Sequence, residues 1–279
     1  RSAEMAVVFA LGAGLSFGTA DFIGGLAAKR SPAATVTVLS QVAGFAVLLA
    51  VLPFLPGRPS PPALVLGAFA GIAGSLGLVA YLRALATGPM GLVAPITSVC
   101  GVTLPVVAGL VAGERLSIIA TGGLVLGLVA IGIVAGGGGR TRAAAATGPL
   151  LAVIAGLMIG TFLVLLDHTP GGSGLWPLVG ARLASLTMLG TWAFVTRAAL
   201  PSRVNLRLIV ASGVMDMGAN VLFLLATRAA PLTITSLLVS LSPVVIVLLA
   251  RQVRAERLHR TQAAAVALSL VAVAAVTIG

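Results

Sequence analysis

The sequence predicts an all-α membrane protein of ten transmembrane helices, arranged as two inverted five-helix repeats. The first observation is composition. Hydrophobic residues make up 59% of the chain and charged residues 8%, against about a quarter charged in a soluble domain. Too few polar residues remain to cover a water-facing surface, so most of the chain must meet lipid. The second is a succession of apolar stretches, each near the ~20 residues that cross a bilayer. The third is duplication. Residues 5–137 fall on residues 147–279 at a constant shift of 142 positions, without a gap. Gly14, Gly18 and Thr19 meet Gly156, Gly160 and Thr161; Gly71 meets Gly213, Tyr81 meets Phe223, Pro89 meets Pro231, and Ser98 meets Ser240.

The spans follow in order. The first, 5–27, ends where Lys29, Arg30 and Pro32 interrupt the apolar run. The second, 33–55, ends at the proline-rich break 56–62. The third, 63–86, opens after Pro61-Pro62 and stops at 87–89, where Gly88-Pro89 cannot extend a helix. The fourth, 90–112, contains Pro95 and Pro105 and gives way to Gly113-Glu-Arg-Leu116. The fifth, 117–137, runs into the glycine-rich linker 136–147. The sixth, 148–166, is the shortest and ends at 167–173. The seventh, 174–196, closes at 197–204, and the eighth, 205–227, at 228–231. The ninth, 232–250, is interrupted by Pro243 and closes on the arginine-rich stretch 251–260. The tenth is 261–279. Residues 1–139 form the first repeat and 140–279 the second. Five is odd, so the second repeat enters the membrane from the opposite side, the arrangement of many secondary transporters. Glycine, at 35 residues, suits close helix packing in lipid.

The net charge of +11 does not indicate nucleic acid. The arginines lie in short loops, where the positive-inside rule puts them, and aromatic residues, at 4%, are too few to interleave a basic patch. One side collects Lys29, Arg30, Arg140, Arg142, Arg197, Arg203, Arg207, Arg251, Arg254, Arg257 and Arg260, the other Arg1, Arg58, Arg115 and Arg228. That bias puts the first group in the cytoplasm and both termini outside. The single cysteine, Cys100, excludes an intramolecular disulfide or a cysteine metal cluster. His168 and His259 are too scattered for a metal site or a triad. The glycines at 136–139 lack the lysine and hydroxyl of a phosphate loop. No enzyme activity, cofactor or metal is expected. The start at Arg1 is expected to reflect trimming, with no removable signal peptide.

The segment from Tyr81-Leu-Arg-Ala-Leu85 through Gly88-Pro89 to Gly113-Glu-Arg-Leu116 resembles the drug/metabolite transporter (DMT) superfamily, specifically its EamA-type ten-helix members. So does its second copy, from Phe223 through Ser242-Pro243 to Ala255-Glu-Arg-Leu258, and so does Phe17-Gly-Thr-Ala-Asp21-Phe-Ile-Gly-Gly-Leu26. The resemblance covers the whole chain. It implies a central cavity lined by helices one, three, four, six, eight and nine, with five and ten at the periphery. It also implies export of amino acids, sugars, nucleotide-linked compounds or other metabolites, and both termini in the cytoplasm, opposite to the charge bias. The first copy departs from the pattern in carrying Gly101 where the second has Pro243.

A charge at mid-membrane costs roughly 2.5–3.5 kcal/mol on insertion scales, so each one needs a reason. Asp216 sits at the centre of the eighth span with Asn220 one turn later on the same face. It is a candidate proton-titrating carboxylate, or half of a structural ion pair. Arg182, central in the seventh span, is a candidate clamp for a substrate carboxylate, or the partner of Asp216. Asp21, just past Gly18 and Thr19, either faces the cavity or pairs with Lys29 or Arg30. Arg83 lies near the end of the third span, where snorkelling accounts for it. None of these charges is duplicated: Asp216 aligns with Gly74, Asp21 with Leu163, Arg182 with Ser40 and Arg83 with Leu225. The scaffold repeats and the charges do not, which points to a task beyond scaffold.

Thr19, Tyr81, Ser98 and Ser240 are further candidates for substrate or proton binding. Thr97, Thr103, Ser236 and Ser242 are hydrogen-bonding walls or plain packing residues. Pro95, Pro105 and Pro243 are candidate helix breaks that free backbone carbonyls. Glu114-Arg115 and Glu256-Arg257 read as structural pairs at the start of the next span. The expected function is export of a small polar, amino-acid-like metabolite by alternating access, as a facilitator or a proton exchanger, at a bacterial inner (cytoplasmic) membrane. The expected partners are a small-molecule substrate, the lipid bilayer and protons, with no nucleic acid, and the protein is a monomer or homodimer. The alternatives are a multidrug or organic-cation proton antiporter and a non-transporting scaffold or lipid-handling protein.

Overall fold

The computed structural model describes residues 2–88, 90–113, 144–198, 200–239 and 242–254, with isolated positions between 118 and 129 and between 264 and 271. Every element among these is helical. Helices α1 (Ser2–Ala28), α2 (Ala33–Val51), α3 (Pro61–Thr87) and α4 (Met90–Val111) are the first four spans. Helices α5 (Ala144–Asp167), α6 (Trp176–Val195) and α7 (Arg203–Thr227) are the sixth to eighth. The ninth span is described as α8 (Leu232–Val239) and α9 (Ser242–Arg254). Most of the fifth and tenth spans, residues 136–143 of the linker between the repeats, Pro89, Ser240, His259, Glu114-Arg115 and Glu256-Arg257 lie outside the described residues.

Among the described residues six helices are long and apolar enough to cross a membrane, Glu4–Ala28 and Pro61–Thr87 among them. At 1.5 Å per residue a 27-residue helix is about 40 Å long and spans the ~30 Å hydrocarbon core with room to spare. Large apolar side chains face outward: Val8 is 65% exposed, Phe69 61% and Phe194 85%. In water such faces would aggregate; in lipid they are at home.

The duplication extends to helix ends. Ser60 accepts a hydrogen bond from the Ala63 N–H at 3.4 Å and caps α3. Its counterpart Ser202 accepts from the Asn205 N–H at 3.3 Å and caps α7. Each satisfies a donor that the first turn leaves unpaired.

Helix directions follow from which residues meet. The Ser16 hydroxyl donates to the Met215 carbonyl at 2.8 Å, and the Ser212 hydroxyl to the Ala20 carbonyl at 2.8 Å. Numbering rises along α1 as it falls along α7, so the two are antiparallel. Helices α3 and α5 are antiparallel likewise: Gly77 lies on Met158 and Gly74 on Phe162. Helices α3 and α6 are parallel, because Gly67 lies on Pro177 and Gly71 on Ala181. Helices α2 and α7 are parallel too, because Ser40 meets Gly213 and Gly44 meets Met217. Adjacent spans alternate in direction, and these pairings close only if the second repeat is inverted.

The seam between repeats is self-complementary. A Cβ on Gly71 would collide with the Ala181 carbonyl oxygen, and one on Gly213 with the Ser40 carbonyl oxygen; Ser40 and Arg182, the residue after Ala181, are equivalent by the 142-residue shift. Each repeat places a glycine where the other brings its backbone close, as two-fold-related surfaces do.

Two apolar clusters fill the ends of the bundle. One contains Phe22, Val36, Tyr81, Leu85 and Ile209, the other Ala13, Leu48, Leu166, Met217 and Phe223. Along α2, Gln41 lies between Val36 and Leu48. Along α7, Asp216 lies between Ile209 and Phe223. The polar residues therefore occupy a middle layer between two hydrophobic plugs.

Helix α4 corrects one expectation. It runs unbroken from Met90 to Val111 through Pro95 and Pro105, so neither proline breaks it. Each only removes a donor, and Pro105 leaves the Gly101 carbonyl without its usual partner four residues on. Pro243 lies in the helical segment Ser242–Arg254.

Candidate functional site

The middle layer holds a cavity of about 120 Å³, room for several waters or a small organic ion. It is lined from both repeats, with Phe17 and Asp21 from α1, Tyr81 from α3, Thr97 and Ser98 from α4, Phe162 from α5, Asp216 and Asn220 from α7, and Ser236 and Ser242 from the ninth span. The second and seventh spans also reach it, through Gln41, Arg182 and Ser185. The set of lining helices implied by the resemblance is therefore too small.

Arg182 and Asp216 meet here. A guanidinium Nη2 of Arg182 donates to Asp216 Oδ2 at 2.6 Å, a charge-assisted bond between α6 and α7. The other terminal nitrogen donates to Gln41 Oε1, which also accepts from the Ser185 hydroxyl at 3.1 Å. The network thus joins two helices of the second repeat to α2 of the first. The Asn220 amide donates to the Asp216 backbone carbonyl at 2.8 Å. Burying two charges is tolerable because each is paired and hydrogen-bonded.

Asp21 is different. It lines the same cavity, it and Tyr81 are side-chain hydrogen-bonding partners, and it lies within electrostatic range of Asp216. Among the described residues Arg182–Asp216 is the ion pair in this layer, and no cation pairs with Asp21. Neither Lys29 nor Arg30 lines the cavity. Arg182 and Asp216 cancel, so an ionised Asp21 would leave the layer with a net negative charge.

Helix register fixes relative heights. With Ser16 opposite Met215, Asp216 stands level with the middle of α1, and Asp21 lies about 8 Å further along the axis. Asn220 lies about 6 Å on the other side of Asp216. Gly14 packs on Val239 and Gly18 on Ser242, which brings Ser236 to the height of Asn220. The cavity therefore has a carboxylate end, a neutralised centre and an amide–hydroxyl end. Three of the lining residues hold a buried side-chain oxygen with no hydrogen-bond partner among the described residues: Asn220 Oδ1, Ser236 Oγ and Thr97 Oγ1.

Of the remaining candidates, Tyr81 is 3% exposed and turns inward, and Ser98 lines the cavity. Thr19 does not; its hydroxyl donates to the Leu15 carbonyl at 2.9 Å on its own helix. Thr103 likewise bonds back to Val99. Arg83 is exposed, as snorkelling requires. Pro105 and Pro243 are buried outside the lining. Gln41 was the residue that inspection of charges passes over. It aligns with Leu183, so the test that singled out the charges, a residue that the other repeat does not reproduce, also singles out Gln41.

Comparison with known proteins agrees with this architecture. A model of the EamA-like transporter family matches residues 4–136 and again residues 146–278, the same spacing as the internal repeat. Among 28 matching solved chains, one crystal structure of a protein superposes with a TM-score of 0.74 at 19% identity, over 98% of this chain and 97% of that one. At that identity the likeness bears on the fold alone. No curated protein matches the sequence.

Proposed function

The chain belongs to the EamA-like transporter family, a multi-pass membrane family of the DMT type, and from that premise we propose that it exports a small polar, amino-acid-like metabolite by alternating access across a bacterial inner membrane. The observation that carries this reading is the cavity between the inverted repeats, flanked by an apolar cluster on either side and holding a carboxylate that no cation pairs with among the described residues. Alternating access needs a central site with two gates. The Phe22–Tyr81 and Leu48–Phe223 clusters stand where the gates would be.

Asp21 is the proposed exchange group. A carboxylate in a low-dielectric layer must hold either a proton or a cationic ligand. Arg182 is the latch rather than the substrate clamp, because Asp216 and Gln41 already occupy its guanidinium. The test is uptake of pooled labelled amino acids by proteoliposomes, with and without an acid interior. Saturable uptake is expected, and an acid interior accelerates it as protons leave in exchange. Asp21→Asn is expected to keep gradient-independent exchange while losing the acceleration. No uptake of any member of the pool, or acceleration surviving in Asp21→Asn, would overturn the amino-acid reading or the coupling role respectively.

The organic-cation alternative gains from one observation: Phe17, Tyr81 and Phe162 all line the cavity, and aromatic faces attract cations. A scaffold role would require both carboxylates to be closed in ion pairs, and Asp21 is not so closed among the described residues.

A further inference from the structure

We infer that the cavity is a site for an organic ammonium with a neutral hydrogen-bonding tail, the ammonium on Asp21 and the tail at Asn220 and Ser236. The inference rests on the transporter reading for its physiological meaning and narrows its substrate class.

Charge balance comes first. Arg182 and Asp216 neutralise each other at 2.6 Å, and Gln41 holds the arginine from its other side. A ligand carboxylate at Arg182 would share with Asp216 a positive charge that Asp216 already neutralises. Asp21 has no such competitor. Tyr81 lies beside its carboxyl, and Phe17, Tyr81 and Phe162 all line the cavity, where aromatic rings favour a cation. A free acid is rejected here, and the carboxylate of an amino acid gains nothing.

The far end carries the second requirement. Asn220 is 2% exposed and its amide is spent on the Asp216 carbonyl. Asn220 lines the cavity, and its Oδ1 is buried with no partner among the described residues. Ser236, 1% exposed at the same height, has an unpartnered hydroxyl. An unmade hydrogen bond on a buried polar atom costs as much as desolvating it, so these oxygens call for a ligand group that donates and accepts without charge: a hydroxyl or an amide. The axial distance from Asp21 to Asn220 is about 14 Å between backbone levels. A four-carbon amino alcohol with a hydrogen bond at each end covers on the order of 12 Å, and the side chains reach inward to meet it.

Four probes of similar size separate the features: 4-aminobutan-1-ol, n-butylamine, γ-aminobutyrate and butyrate. Binding is measured at equilibrium on purified protein in lipid nanodiscs at neutral pH, and exchange in proteoliposomes with the same compounds. The amino alcohol is expected to bind best, γ-aminobutyrate several-fold weaker, and butyrate not at all. Asp21→Asn lowers affinity for both amines at least about tenfold, the size of one lost charge-assisted hydrogen bond. Asn220→Ala removes the preference of the amino alcohol over butylamine and leaves butylamine binding unchanged. Thermal midpoints of both variants near the parent's show that folding is intact. Butyrate binding as well as the amino alcohol, amine affinity unchanged in Asp21→Asn, or no amine binding at millimolar concentration would each overturn the inference. Amine binding without exchange would keep the site and sink the transporter reading; exchange of γ-aminobutyrate without preference among the amines would do the reverse.

Discussion

At the scale of single residues, the layer is organised by which charges are matched. Arg182 and Asp216 are 9% and 20% exposed at their side chains, so removing either leaves its partner charged in a poorly hydrated place. Asp216→Asn or Arg182→Leu is expected to cost about 3–5 kcal/mol and to lower the thermal midpoint in detergent. Replacing both by Leu is expected to recover most of that loss, because an apolar pair leaves no stranded charge. A double variant no more stable than the singles would mean that the Arg182–Gln41 bond between α6 and α2, rather than the stranded charge, accounts for the loss. The sequence alone pointed to Asp216, Arg182 and Asp21 because mid-membrane charges are expensive. It could not distinguish the matched pair from the unmatched carboxylate, since that depends on which faces of α1, α6 and α7 turn together. Thr19 was misjudged for a related reason. A hydroxyl in a helix can bond the carbonyl a turn back, and nothing in the sequence tells that use from a cavity-facing one.

At the scale of elements, the helix seams depend on missing side chains. Gly71 and Gly213 occupy equivalent positions and each lies under the backbone of a helix from the other repeat. Gly71→Leu and Gly213→Leu are expected to be about equally damaging, each by at least ~1–3 kcal/mol. Gly190→Leu, where nothing lies within 4 Å, is expected to be tolerated. The readouts are the yield of monodisperse protein and its thermal midpoint; a large difference between the two seam variants would deny the equivalence of the seams. Element positions were readable from the apolar runs to within a few residues, as in 63–86 against Pro61–Thr87. The fate of the prolines was not. Helix α4 accommodates Pro95 and Pro105, because neighbouring helices make up for a lost backbone bond in ways that sequence does not display.

At the scale of the whole molecule, the halves are partners rather than neighbours. The described helices α1 and α7, α2 and α7, α3 and α5, α3 and α6, and α4 and α5 all pack across the repeat boundary. Residues 1–139 and 140–279, expressed together as separate chains, are therefore expected to co-purify as one particle with the thermal midpoint of the intact protein within a few degrees. Recovery of the halves apart would mean that the linker, not the seam, holds them. This level was the most accessible from the sequence, because duplication, an odd number of spans and the scarcity of charge leave little choice of architecture. The lining contributed by α2 and α6 was not accessible, since it depends on how far the two halves interpenetrate.

A backbone that repeats around a two-fold and a polar lining that does not have one further outcome. Turned end for end, the scaffold is nearly its own image, but Asp21 then stands where Leu163 stood and Arg182 where Ser40 stood. A solute entering from one face of the membrane meets the carboxylate end first. From the other face it first meets the amide and hydroxyl. The two openings are alike in shape and unlike in chemistry, so half-saturating concentrations measured from the two sides of the bilayer should differ even when net flux is zero.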